Sequence, residues 1–464
     1  MFDLEDTGFD PEKVQGNILR GYRLNRVRHL MLEVTDRHAA RGFLAASADG
    51  TKVDVPRITR SADWVKSLRV RFNIGVTHPG LRALGLPADQ LASFPIEFSE
   101  GMARRAVKLG DVGTSAPGHW APPFDTPDRI HIVASVYADE TEAFDTVEAQ
   151  LARAFTVLGV RDGRNLDEGK VFFGYRDSLS QPRFKHVFDP DELGVDEPLD
   201  PLGTILLGYP THFEGVGFAV PEPRVAFRDS AFNAFRVLQQ DTEAFETYLT
   251  EAATYLETHP KVARLLPEGA ERNIGDGLGR HAALREVVAA QMCGRWRNGT
   301  PYALSPDSDA PGDLSLTNYD YTRASRCPAG SHMRRANPRG GPIVQRVANF
   351  SRRLVRRGMS YGPESGDGEH GLLGNFIGAN YGAQFEAIMC DWINFGLQDP
   401  EITGTNDPLL GANQPETSVF DLTLADGDDR IRLQGLPRFV ITRGGAYTLL
   451  PSLPAIRHLA QLTG

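Results

Sequence analysis

The chain has 464 residues and a formal net charge of -10, with 41% hydrophobic and 24% charged residues. This ordinary globular composition is long for one core and points to two domains or two fused halves. No run of about 18 apolar residues occurs, which excludes a membrane-spanning helix, and Met1-Phe-Asp-Leu-Glu-Asp6 lacks the basic and apolar regions of a secretory signal.

Cys293, Cys327 and Cys390 are an odd number without CxxC spacing. They read as small buried hydrophobes suited to a reducing compartment, and a cytoplasmic location is expected. In chain order, His29–Val34 and Arg69–Val76 read as strands. Pro79–Pro87 reads as a short helix closed by glycine and proline, and Ile130–Tyr137 as a third strand. An amphipathic helix follows, with Phe144, Val147, Leu151, Phe155 and Leu158 on one face. This succession begins a ferredoxin-like split βαβ order. The stretch from Pro182 to Phe227 is rich in glycine and proline and reads as a long ordered loop. Two helical stripes come next, Phe245, Tyr248, Leu249, Ala252 and Leu256, then Leu284, Val287, Val288 and Met292, separated by a polar insertion over 258–279.

The charge is unevenly spread. Eight arginines and no acidic residue fall between Arg334 and Arg357 in a chain that is acidic overall. Such a concentration of cation reads either as a solvated basic face or as a site for an anion, with nucleic acid, phosphate and haem propionates as candidates. Sparse interleaving of aromatic residues and a pI near 5.7 argue against nucleic acid. A histidine sits within this stretch, in Cys327-Pro-Ala-Gly-Ser-His332-Met-Arg-Arg-Ala-Asn337-Pro338-Arg339. Leu354-Val-Arg356-Arg357-Gly358-Met-Ser-Tyr361-Gly362 follows, and Phe173-Gly174-Tyr-Arg-Asp177-Ser178-Leu-Ser-Gln181-Pro182 lies far upstream.

Together these three segments resemble the haem-binding core of the dye-decolourising peroxidases. The likeness extends to Gln15–Tyr22, to Cys293-Gly-Arg-Trp296 with Gly299-Thr-Pro301, to Gly371–Glu386 and to Arg438–Ser452, and so covers residues 15 to about 456. It implies an α+β fold of two ferredoxin-like halves, with haem held in the C-terminal half. The corresponding division is 1–185 for the N-terminal half, 186–300 for a connecting and helical segment, and 301–464 for the haem-binding half. The resemblance further implies one haem b per chain with His332 as the axial iron ligand, and hydrogen peroxide and an aromatic reducing substrate as reactants. No nucleic-acid or membrane partner is implied, and a homo-oligomer is compatible with the sequence.

Within the resemblance, Asp177 is the distal acid–base group, and an ordinary aspartate pKa of about 3.9 predicts activity best on the acid side. Arg356 is the distal cation, 24 residues after His332. Arg357 is the alternative, because adjacent residues usually face different ways. Arg335 and Arg339 are the candidates for a propionate. Asp407 or Asp391 would be the carboxylate partner of His332. The chain departs from the family pattern twice. Ser178 stands where the family has glycine, which either restricts the backbone beside Asp177 or adds a hydroxyl to the distal side. Gly374-Asn375-Phe376 follows Gly371-Leu-Leu373 where apolar residues, often Phe, are usual. A smaller and more polar distal wall is expected there. The leading expectation is a peroxidase working through a ferryl intermediate; the competing one is a haem carrier or sensor with little turnover.

Overall fold

A computed structural model describes residues 8–462 apart from 190–198, 214, 276, 313, 315–320, 322–325, 340–345, 365–367 and 425–428. Eight strands close into one antiparallel barrel in the order β1-β3-β2-β10-β5-β7-β6-β4. They are β1 (Arg26–Glu33), β2 (Val70–Val76), β3 (Ile132–Ala138), β4 (Thr156–Arg164), β5 (Ala231–Gln240), β6 (Val355–Tyr361), β7 (Gly371–Gly378) and β10 (Val440–Leu450). A separate ribbon pairs β8 (Val419–Thr423) with β9 (Arg430–Gln434).

The barrel is two sheets joined edge to edge. The first half runs strand, helix, strand, strand, helix, strand in the order β4-β1-β3-β2, and the second repeats it as β10-β5-β7-β6. Each is a ferredoxin-like sheet. The seams are short, with Leu449 opposite Val76 at one and Arg164 opposite Ser360 at the other.

Local chemistry sets the helices. Helix Arg37–Asp49 starts where the Asp36 carboxylate accepts from the backbone N–H groups of His38 and Ala39, and it ends at left-handed Gly50. Asp241 caps helix Thr242–Glu257 in the same way through Ala244. The expected stripe of that helix is buried, and with helix Arg280–Cys293 and the β8–β9 ribbon it forms a second core.

Two sequence expectations are corrected. The helix expected to carry Phe155 and Leu158 ends at Leu151, and Leu158 lies in β4, where pairing with β1 outweighs the helical period. The segment 186–300 is more than a connector, because it contains β5, a central strand of the second half. Cys293 and Cys327 are buried, and burial pushes the Cys293 thiol up to about 12.

Alternation along the strands sorts side chains into an inner and an outer set. His29 of β1 and Phe235 of β5 meet across the barrel interior, ring centroids 4.9 Å apart. Asn375 and Thr448 also turn inward, both bonded to Asn233. The outer face of the second sheet therefore presents Leu238, Leu372, Gly374, Phe376, Arg356 and Tyr447, and on this face the cavity opens.

Candidate active site

Ser331 precedes a five-residue helix, His332–Ala336, packed against a π-helical segment, Ile388–Asn394. Such widened turns recur at functional sites. His332 looks into a cavity of about 310 Å³ between this helix and the outer face of the second sheet. Its Nδ1 lies 3.0 Å from Asp407 Oδ2. Asp407 is fully buried, and its other oxygen accepts from the backbone N–H groups of Leu409 (2.9 Å) and Leu410 (2.8 Å). Burial alone would make both groups neutral. The His332 imidazole beside it, together with Arg335 and the Leu410 N–H, instead holds the Asp407 carboxyl below its ordinary range, and Asp407 raises the affinity of His332 for its proton. Asp391, the other candidate partner, pairs with Arg352 at 3.1 Å.

Neighbouring strand residues put the paired arginines on opposite faces of β6. Arg356 is opposite Phe376 and Gly358 opposite Gly374, all on the cavity side. Arg356 Nη2 donates to Ser180 O (2.9 Å), and its backbone N–H donates to Gln181 Oε1 (3.0 Å). Arg357 points to the barrel side instead, donating to the carbonyls of Asn17 and Ile18, and burial lowers its pKa to about 10.

Asp177 is reached from the same loop, its N–H donating to Gly169 O at 2.9 Å. Its side chain is exposed to a second, outer cavity of about 820 Å³. Both cavities are lined by Asp177, Ser178, Pro182, Arg356 and Gly358, so one tract leads from the surface to His332. Asp177 and Arg356 bias the His332 proton in opposite directions, and all three line the inner cavity.

Ser178 sits in left-handed backbone at φ +60°, where an L-residue is strained and glycine is not. This accounts for the usual glycine. The expected open and polar distal wall is corrected. A Cβ built on Gly374 would lie 2.7 Å from the Phe376 ring, so that ring already fills the opening, and Asn375 faces the barrel.

Arg339 lines the cavity, whereas Arg335 does not. The Arg335 guanidinium is spent on the carbonyls of Gly330, Trp392 and Thr405, and burial lowers its pKa to about 10. It ties the His332 helix to the loop that carries Asp407, which corrects the expectation that it meets a propionate.

Sequence reasoning missed the residues that act by holding others. Gln181 fixes Arg356 but was only part of a motif. Gln384 accepts from the N–H groups of Ala379 and Asn380 and donates to the carbonyls of Thr204 and Arg353, joining its own turn to two remote segments. Buried Asp200 bridges His212 (2.8 Å) and Arg353 (3.2 Å), and Arg353 lines the cavity. No periodic signal marks such contacts.

The donor set fits a haem. Asp407 takes His332 Nδ1 and leaves Nε2 for a cavity ligand, and the walls, including Leu354, Leu372, Phe376, Phe385, Ile388 and Ile393, are apolar enough for a macrocycle.

Comparison with known proteins agrees. Residues 13–158 match the DyP dimeric alpha+beta barrel domain. The chain is 26% identical to the dye-decolorizing peroxidase msp1 of Mycetinis scorodonius, over 98% of this chain and 88% of that protein. It is also 26% identical to the multifunctional dye peroxidase DyP2 of an Amycolatopsis species, over 97% and 95%. A dye-decolorizing peroxidase solved in complex with 2,6-dimethoxyphenol superposes with a TM-score of 0.77 at 25% identity, covering 97% of this chain and all of that one. Along nearly its whole length the chain is similar to dye-decolourising peroxidases, oxidoreductases that act on a peroxide.

Proposed function

We propose that this chain uses hydrogen peroxide to oxidise phenolic or dye-like aromatic donors, with one haem b bound through His332 Nε2. The observation that carries this is the His332–Asp407 pair facing Asp177 and Arg356 across a single apolar cavity. When bound, haem supplies the site that takes two oxidising equivalents from peroxide. Asp407 keeps the proton on His332 Nδ1, which fixes the tautomer and makes Nε2 a stronger donor. Asp177 accepts a proton from the near oxygen of an incoming peroxide and delivers it to the departing one. Arg356, anchored by Ser180 and Gln181, offers its charge to the departing oxygen. Phe376 and Leu372 keep the inner space apolar, while the outer tract provides a route for small reactants. Support for a phenolic donor comes from the relative solved with 2,6-dimethoxyphenol.

The test is stopped-flow absorbance of the haem-loaded chain mixed with one equivalent of peroxide. Rapid loss of the resting Soret band is expected, slowed by roughly 100-fold or more in Asp177→Asn and Arg356→Leu. His332→Ala should fail to retain haem. A Soret band that holds haem yet ignores peroxide would replace the peroxidase with the carrier reading.

A further inference from the structure

The outer cavity has two ends. At one, Asp177, Ser178 and Arg356 lead toward His332; at the other, Tyr22, Val27, His29 and Tyr137 line it from the barrel side. Arg357 faces this second end, on the opposite side of β6 from Arg356. A Cβ built on Gly21 would lie 3.6 Å from Arg357 Nε, so the guanidinium rests against the segment Gln15–Tyr22, to which the haem site gives no role.

Seven arginine and lysine side chains line this cavity, against the carboxylate of Asp177 alone among the described residues. Arg164 and Lys170 are paired with Glu364 and Glu168. Among the described residues, Arg23, Arg183 and Arg357 meet no carboxylate. Arg23 lies over the Trp64 ring at 5.2 Å. Arg183 Nη1 is enclosed and has no hydrogen-bond partner among the described residues. Arg357 donates only to backbone carbonyls, those of Asn17 (2.9 Å), Ile18 (3.2 Å) and Arg356 (3.2 Å), which leaves part of its guanidinium fork unused. Burial lowers its pKa to about 10, as it does for a charge without a counter-ion. A solvated basic face would keep these groups in water; here they are partly withdrawn from it.

Size and lining select among anions. About 820 Å³ is far more than an inorganic anion fills, and it suits a small organic molecule. Rings line the barrel-side end. Tyr22 meets Tyr137 edge to face at 5.1 Å, and Trp64 packs with Arg20 and Arg23. Burial pushes the Tyr137 phenol up to about 12 and raises Tyr22 as well, so neither carries a charge that would repel an anion. Asp177 carries one at the other end, and so turns an anion away from the His332 side.

We propose that the barrel-side end of the outer cavity is a second binding site, separate from the haem cavity, and that it takes an aromatic carboxylate. The carboxylate pairs with Arg357 and Arg23, and the ring lies among Tyr22, Tyr137 and Trp64. Binding here requires neither peroxide nor an oxidised cofactor, so the peroxidase reading can fail while this site stands.

The test is equilibrium dialysis of 1-naphthoate against the haem-loaded full chain, with 1-naphthamide as the uncharged probe of the same shape. One equivalent of naphthoate is expected to bind, about 10-fold or more tighter than the amide, without moving the Soret band. Cyanide on the iron should leave that affinity unchanged. Arg357→Met should weaken naphthoate by about 10-fold or more, and Arg23→Gln, at an exposed position, by several-fold even where Arg357→Met does not fold. Equal affinities for the two probes, or naphthoate binding unaltered in Arg23→Gln and in a folded Arg357→Met, overturn the site. Displacement by cyanide assigns the probe to the haem cavity and overturns the separation. Inorganic phosphate that competes at the same concentration as naphthoate overturns the aromatic part, leaving a simple anion site.

Discussion

Ser178 shows how one backbone angle is visible in a sequence only as a departure. Its φ of +60° places Cβ against its own backbone, at a cost of about 1–2 kcal/mol that glycine would avoid. Glycine would also loosen the unfolded chain, which returns about 0.4–1 kcal/mol. Ser178→Gly is therefore expected to stabilise the protein by roughly 0.5 kcal/mol in urea unfolding. Ser178→Ala keeps the strained Cβ and should give no gain. Equal shifts in the two variants would show that the hydroxyl, not the angle, matters. Asp407 offers a second test at this scale. Asp407→Asn retains an oxygen for Leu409 and Leu410 but removes the charge facing His332. Haem transfer to a scavenger protein should then speed up by about 10-fold or more; an unchanged rate would mean that the carboxylate orients nothing.

At the scale of the element, β7 carries the clearest lesson about what a sequence hides. The His332, Arg356 and Asp177 segments stand out in the sequence because each is a compact local pattern, and strand alternation puts Arg356 and Arg357 on opposite faces of β6. Gly374 was legible as a gap, yet not that the gap is filled. Residues two apart share a strand face, so Phe376 can lean back over Gly374, but only its rotamer says that it does. The Leu158 error has the same origin, since pairing with β1 over a long sequence separation overrides a local period. The two positions on β7 should behave as one. Gly374→Phe alone overpacks the wall, with an expected loss of about 1–3 kcal/mol. Gly374→Phe with Phe376→Ala exchanges the source of the ring and should recover most of that loss. Additive losses in a thermal-unfolding double-mutant cycle would mean that the two side chains do not compete for one space.

Across the whole molecule, two sheets with the same strand order share a barrel although the sequence shows no repeat, because the order is written in pairings between remote segments. Closing the barrel buries a polar interior that neither half would bury alone. His29 lies there, 1% exposed, with Nδ1 2.9 Å from Ser135 Oγ and its ring against Phe235 of the other half. Burial lowers its pKa from 6.5 to about 3, so the folded chain holds it neutral where an unfolded chain would protonate it. The sign follows from linkage. Between those values the unfolded state binds more protons, so this contribution to stability is complete above about pH 6.5 and falls as the pH drops toward 3. Each pH unit in that window removes up to about 1.4 kcal/mol. His29→Gln can keep a bond to Ser135 without titrating, so its stability should change less than the parent's between neutral pH and pH values near 4.5. Urea unfolding at several pH values measures the difference, and parallel profiles would show that the barrel tolerates a charged His29. The consequence reaches the chemistry. The proposed peroxidase, expected to work on the acid side, would do so where the contact between its halves is being weakened, so His29→Gln should extend the half-life of the haem-loaded protein most at acid pH.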